Sequence, residues 1–234
     1  MVSFFGWLDG ISAVGVILFT LIVGIYSVAK AIKSKLKLLD VFGIMIIFTG
    51  FLYLGPTSEF LCLLFTNSNM DTTYGLYGKL SYMWVFPALI CAMYLGTEFK
   101  QSPRQKPMLI TYFLLGIVFE LLLFLDISGS FTFTFELENP GQDLVDAQFN
   151  FGSPAFILIA FFIMTILFYN GVGALRNAHR SSGTVRRKFQ LFAVGFILFS
   201  IMAIFDALAA PGPVLFLIRI GMMSSAVSMY YVFK

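Results

Sequence analysis

Long apolar stretches recur along this chain, and short polar segments separate them. A helix needs about 20 apolar residues to cross the roughly 30 Å of hydrocarbon in a bilayer. Stretches of that length occur at residues 5–30, 39–65, 76–98, 108–126, 154–175, 189–210 and 213–233. Inside lipid the backbone must satisfy its own hydrogen bonds, so runs this long must be helices and not the short strands of a barrel. We therefore predict an all-α membrane protein, a single seven-helix transmembrane bundle that occupies residues 1–234.

The positions of the positive charges predict how this bundle is oriented. Lys and Arg concentrate in three connections, 30–37, 100–106 and 176–188, which alternate with connections that hold few of them. The cytoplasmic loops of multi-pass proteins carry such an excess of positive charge. We therefore expect an external N-terminus, a C-terminus that ends in the cytoplasm at Lys234, and a multi-pass location in the cell membrane.

Composition supports the same class. Hydrophobic residues make up 59% of the chain and charged residues 12%, and the mean hydropathy is +0.90, values that exclude a soluble globular domain. The first apolar stretch begins almost at Met1, without a preceding basic region or a small-residue cleavage site, so we expect a retained helix and not a signal peptide.

The connection between the fourth and fifth predicted helices, about 128–152, carries a different pattern. Apolar and polar residues alternate over 131–136 and again over 145–151, and turn-forming residues lie between the two runs. Alternation with period two on both sides of a turn predicts a β-hairpin, which the orientation above makes external. Its Phe face would cover apolar surface, either as a shield for helix ends or as a lid over a ligand cavity.

Two prolines lie inside predicted helices. Pro56 falls within the second apolar stretch and Pro87 within the third. A proline removes one helical hydrogen bond and bends the helix. We therefore expect kinks in these two helices, and a bend or a partly unwound outer segment that begins at Gly55 and Pro56.

A few ionisable residues lie inside the predicted helices at a similar level, toward the external side. They are Glu59, Lys79, Glu120, Asp206 and Arg219. Such residues usually face the interior of a bundle or a water-filled cavity, and they often mark function. We predict that they and Tyr82 bind a small ligand in an outward-facing polar cavity, with Glu120 as its floor and Asp206 and Arg219 as its walls. Asp206 and Arg219 have matching depths on consecutive helices, so we expect them to form an ion pair.

Several other classes of function are excluded by missing residues. His179 is the only histidine and lies in a basic connection, so a multi-histidine zinc site, bis-histidine haem ligation or a Ser-His dyad within the membrane has no support. We predict no metal, no cofactor and no enzymatic activity. The chain has no nucleic-acid-binding motif, and membrane topology explains its basic connections.

Seven helices, an external N-terminus and a hairpin after the fourth helix together resemble the layout of seven-helix receptors. The last helix has Arg219 and no lysine before Lys234, so the retinal linkage of microbial rhodopsins is excluded. The layout is also similar to the seven-helix sensor regions that precede histidine kinase domains in prokaryotes, with the basic run 186–188 entering the sixth helix and Asp206 late in it. This resemblance implies a sensor that signals to a separate cytoplasmic protein, because no output domain follows Lys234.

Two other functions fit the same residues. In a small-solute or ion transporter, Glu120 and Asp206 would couple transport to protons or cations. In a structural or assembly subunit, the charges would only hold helices together. The tyrosines near the predicted boundaries, Tyr53 among them, have their ordinary role as interfacial anchors.

The orientation predicts which segments react with a membrane-impermeant thiol reagent. In a chain whose own cysteines are replaced by Ser, Ser102→Cys and Ser181→Cys should react only from the cytoplasmic side, and Ser128→Cys only from the external side. Labelling of intact and of inside-out vesicles measures this. Reaction of Ser102→Cys and Ser181→Cys from opposite faces would refute the topology.

Overall fold

The fold, taken from a computed structural model, is described for residues 2–71, 73, 75–134, 141–209 and 212–233. The helices are α1 (Phe4–Ser34), α2 (Lys37–Phe51), α3 (Leu54–Thr66), α4 (Leu76–Tyr82), α5 (Val85–Phe99), α6 (Gln105–Leu125), α7 (Ile127–Ser130), α8 (Pro154–Thr165), α9 (Gly173–His179), α10 (Gly183–Leu208) and α11 (Pro213–Tyr230). A π-helical segment, Ile166–Val172, joins α8 to α9, and a 3₁₀ turn, Tyr231–Phe233, follows α11. The strands are β1 (Phe131–Thr134) and β2 (Asp146–Phe149).

Most of these helices have the length and composition of membrane spans. Within the described residues, six helical stretches are long and apolar enough to cross a bilayer: Phe4–Ser34, Leu76–Phe99, Gln105–Leu125, Pro154–His179, Gly183–Leu208 and Pro213–Phe233. The pair formed by α2 and α3 passes the same test when taken together and is bent by 43°. The architecture therefore agrees with the predicted all-α, multi-pass membrane protein.

Both predicted kinks coincide with breaks in the helices. Pro56 is the third residue of α3 and Pro87 the third residue of α5. Helices α2 and α4 have their C-caps at Leu52 and Met83, four residues before each proline. A proline ring clashes with the carbonyl group four residues earlier, so each helix is interrupted one turn before its proline and not at the proline itself.

The three basic connections lie at the same end of the bundle, which we call the basic end. The Nζ atom of Lys30 donates a hydrogen bond to the Tyr230 hydroxyl over 3.2 Å, and thus joins the first connection to the end of α11. The rings of Phe99 and Phe189, 4.8 Å apart, join the ends of α5 and α10 that border the other two connections.

Lys100 is held at this basic end, just after α5. Its Nζ atom lies 3.5 Å from the centre of the Tyr169 ring and donates a hydrogen bond to the Tyr169 carbonyl. Burial removes water from the ammonium group and lowers the pKa of Lys100 to about 8. The contact therefore connects the end of α5 to the π-helical segment.

The opposite end, which we call the hairpin end, gathers the N-terminus and the segment that precedes β2. The backbone N–H of Ser3 donates to the carbonyl of Gln142 over 2.8 Å. The side-chain amide of Asn69, which follows α3, donates to the carbonyl of Asp143 over 2.8 Å. The alternation of the two ends along the chain is the one that the charge pattern requires.

The strands form an antiparallel pair in which Phe131 faces Phe149 and Phe133 faces Ala147. Phe131 and Phe149 are buried, and their ring centres lie 5.0 Å and 4.6 Å from that of Tyr82. The Phe face of the hairpin therefore covers apolar surface, as the alternation predicted. Residues 135–140, which hold the end of the first alternating run and the first half of the predicted turn, lie outside the described residues.

Helices α1 and α2 approach each other through two glycines. A Cβ atom on Gly24 would lie 2.8 Å from the carbonyl oxygen of Gly43, and one on Gly43 would lie 2.7 Å from the carbonyl oxygen of Gly24. Small residues allow helix backbones to come this close in a membrane. This contact fixes α1 against α2 and so positions the residues that both helices contribute to the interior.

We expect Gly24→Val to destabilise the bundle by about 1–3 kcal/mol, because the new side chain overlaps the backbone of α2. Gly15→Val is the matched control on the same helix, since a Cβ atom at Gly15 meets no described atom within 4 Å. Thermal unfolding in detergent measures both variants. Equal melting temperatures for the two variants would contradict this packing.

Candidate functional site

A cavity of about 490 Å³ lies inside the bundle. It is lined by α1, α2, α3, α4, α5, α8, α10 and α11, the start of the π-helical segment and strand β2, whereas no residue of α6 contributes. Small-molecule sites have volumes of about 300–1,000 Å³. The volume of this cavity falls within that range and is far larger than a packing defect.

The cavity is polar toward the hairpin end and apolar deeper in the bundle. Tyr82, Asp206 and Arg219 line it, and each lies within about 9 Å of the hairpin-end terminus of its helix, at 1.5 Å per residue. The deeper lining is formed by apolar residues such as Met45, Leu89, Ala92, Phe162, Ile166, Phe196 and Met229.

Three hydroxyl-bearing residues in the lining do not change this polarity. Thr20 donates to the carbonyl oxygens of Val16 and Ile17, and Thr49 donates to that of Met45. Ser225 donates in the same way to its own helix at Met222. Because these hydroxyl protons are used within their own helices, they contribute little polarity to the cavity.

Arg219 is the central charged group of the polar part. Its side chain is 4% exposed, and Nη1 lies 3.8 Å from Oδ1 of Asp9. Nη1 also donates to the Asp9 carbonyl over 2.6 Å and to the Ser12 hydroxyl. A guanidinium in a low-dielectric interior needs a counter-charge and several acceptors, and α1 supplies them.

Asp206 is connected to this group through a tyrosine. The Tyr53 hydroxyl lies 3.2 Å from Oδ1 of Asp206 and 2.7 Å from Sδ of Met222, and its single proton favours the carboxylate, the stronger acceptor. The Cζ atom of Arg219 lies 5.3 Å from the centre of the Tyr53 ring. The ion pair of Arg219 is therefore with Asp9, where the sequence predicted Asp206, because α1 packs against α11 at this level.

Two buried donors in the lining lack a partner. Nε of Arg219 and Oγ of Ser81 have no hydrogen-bond partner among the residues that the structure describes. Both side chains line the cavity, and both residues are at most 4% exposed. Leaving such a group unsatisfied costs about 1–3 kcal/mol. The arrangement therefore suits a bound molecule that offers hydrogen-bonding groups at this place.

Glu59 lies outside the cavity lining, although it was predicted as a ligand-binding residue. Its carboxylate accepts hydrogen bonds from the Asn69 amide over 2.6 Å, from the Met70 backbone over 2.8 Å and from the Val145 backbone over 3.4 Å. The residue is fully buried. Glu59 therefore holds the segment before β2, and the segment that follows α3, against α3.

Lys79 and Glu120 also lie outside the cavity lining. Nζ of Lys79 lies 5.9 Å from the ring centre of Phe124 on α6. One carboxylate oxygen of Glu120 is buried without a partner among the described residues. Glu120 does not form the floor that the sequence suggested, because α6 packs outside the ring of helices that encloses the cavity.

The residues that sequence reasoning missed are Asp9, Ser12 and Tyr53. Asp9 lies so near the start of the first apolar stretch that it resembled a membrane-edge residue, and Tyr53 resembled an interfacial anchor. A usable signal was present, since Asp9 is the only acidic residue in the 31 residues of α1. An acid in an apolar helix usually has an internal partner.

The chain matches no protein-family model, no curated protein sequence and no solved structure.

The geometry predicts which carboxylate is coupled to Arg219. In double-mutant cycles with Arg219→Met, the coupling free energy should be about 1–3 kcal/mol for Asp9→Asn and smaller for Asp206→Asn, because Asp9 is in direct contact. Unfolding in detergent measures both cycles, and Asp206→Asn is the matched control. Stronger coupling to Asp206 would restore the pairing expected from the sequence.

Proposed function

We propose that this chain is a sensor or receptor-like protein of the cell membrane that binds a small ligand in the cavity and signals to a cytoplasmic protein. The supporting observation is the buried Nε–H of Arg219, which lines the cavity without a partner among the described residues. Cavities that are mostly apolar, with a few convergent polar groups, are typical of ligand sites.

In this proposal the bundle crosses the membrane seven times, with the hairpin end outside. The bent pair of α2 and α3 supports a seventh crossing because it runs the length of the bundle. At the basic end the ring of Phe42 lies 5.3 Å from that of Phe233, and at the hairpin end Glu59 accepts from Val145. The excess of Lys and Arg at the basic end supports a cytoplasmic location for that end.

The broken helices provide a route from the cavity to the basic end. Leu52, Tyr53 and Pro56 line the cavity around the first break, and Val85 lines it beside the second. Helix α2 leads from the first break to the basic end, and α5 leads there from the second. A ligand that contacts both sides of a break would change the bend, because such positions are where helices yield.

The positions of Glu120 and Asp206 support a transporter less well than a sensor. Asp206 lines the cavity and Glu120 does not, so the two groups do not form one proton or cation path. A purely structural role explains why Arg219 contacts Asp9. It does not explain why a cavity lies beside Arg219.

A bulky side chain inside the cavity tests the signalling route without knowledge of the ligand. Ala203→Trp on α10 adds an indole to the lining and should shift the mean distance between spin labels at Ser34 and Ser182, both at the basic end, by at least about 2 Å. Cys62 and Cys91 are replaced by Ser, and pulsed electron paramagnetic resonance in nanodiscs measures the distance.

Ile201→Trp is the matched control, because Ile201 lies on the same helix, is 37% exposed and lies outside the lining. It should leave the distance unchanged. An unchanged distance in both variants would refute signalling by this route and favour the structural role.

A further inference from the structure

The span that begins at Pro154 packs unevenly along α10. Its π-helical segment and α9 contact α10 extensively, whereas α8 contacts it sparsely. Gly171 marks a close approach, since a Cβ atom there would lie 2.6 Å from Cγ1 of Ile197. A π-helical insertion changes the direction of a helix and is frequent at functional sites. Helices α8 and α10 therefore separate from this point toward the hairpin end.

Exposed lining residues show that the cavity reaches the surface at this gap. Met164 on α8, Leu208 on α10 and Phe151 after β2 line the cavity, yet they are 43%, 59% and 73% exposed. Met164 lies ten residues into α8, about 15 Å along the helix, which is half of the roughly 30 Å hydrocarbon layer. A gap at that depth, with an apolar rim, opens toward lipid chains.

Contacts already described cover part of the hairpin end of the cavity. Strand β2 lies over Tyr82, and Glu59 and Asn69 hold the segment before β2. The polar part of the cavity lies below this cover, and the apolar part extends deeper. The space therefore has the polarity of an amphiphile whose head points to the hairpin end.

The charges restrict the head group. One guanidinium, of Arg219, lies with two carboxylates, of Asp9 and Asp206, so a carboxylate or phosphate head would add to an excess of negative charge. An ammonium head would give the Nε–H of Arg219 no acceptor. A hydroxyl or an amide both donates and accepts, and it serves the guanidinium and a carboxylate together.

We propose that the ligand is an uncharged amphiphile, an alkyl or acyl chain with a hydroxyl or amide head, that enters from the bilayer between α8 and α10. This inference rests on the proposed function of the cavity and adds the class of ligand and its route.

Three probes with the same chain test it: dodecanol, dodecylammonium and dodecanoate. Binding of each tritiated probe is measured to the protein in phosphatidylcholine nanodiscs, with empty nanodiscs subtracted. We expect saturable binding of about one dodecanol per protein, at least about tenfold tighter than either charged probe. Tightest binding of dodecanoate or dodecylammonium, or no saturable dodecanol binding, would overturn the proposal.

Variants on α8 test the route. Ala160→Trp places an indole in the lining at the gap and should weaken dodecanol binding at least about tenfold. Ile157→Trp, at a 59% exposed position of the same helix outside the lining, should not. Unchanged binding in Ala160→Trp, or equal losses in both variants with unchanged circular dichroism, would overturn entry at this gap.

Failure of this inference is distinguishable from failure of the proposed function, because the distance measurement uses no amphiphile. A distance shift in Ala203→Trp without dodecanol binding would overturn the ligand class alone. Dodecanol binding without a distance shift would overturn signalling alone.

Discussion

A guanidinium buried among apolar helices needs a counter-charge, and this requirement organises the hairpin-end half of the bundle. Arg219 on α11 takes its ion pair and two further acceptors from α1, and it stands over Tyr53, which reaches Asp206 on α10. The contacts thus connect α1, the α2–α3 break, α10 and α11. Since a charge at this depth is costly when it is unpaired, these elements cannot separate independently.

The cavity lies where neighbouring helices diverge from one another. The break before Pro56 bends the α2–α3 pair by 43°, and the π-helical segment lets α8 leave α10 beyond Gly171. Strand β2 and the segment held by Glu59 cover the hairpin end. The result is a space that is polar under its cover and apolar below it, and the proposed ligand has the same distribution of polarity.

Much of the fold could be predicted because its causes are local. Apolar length predicted the spans, and α1 (Phe4–Ser34) and α10 (Gly183–Leu208) extend the predicted stretches mainly into the basic connections. Alternation predicted the strands, and proline chemistry predicted the two interruptions. The sequence did not predict the π-helical segment, because residues 166–172 carry no proline and no polar pattern that marks a bulge.

The sequence by itself determined the membrane class from hydropathy and the alternation of basic and hairpin ends from charge. It also determined a common level for Asp206 and Arg219 from the rise of a helix. Each of these depends only on position along one chain. Only the tertiary structure decided which side chains meet. Asp9 replaced Asp206 as the partner of Arg219, and Glu59, Lys79 and Glu120 fell outside the cavity that Tyr82 lines. Matching depth restricts two residues to one plane parallel to the membrane. Packing sets the rotation and the neighbours of each helix, and these decide where in that plane a side chain lies.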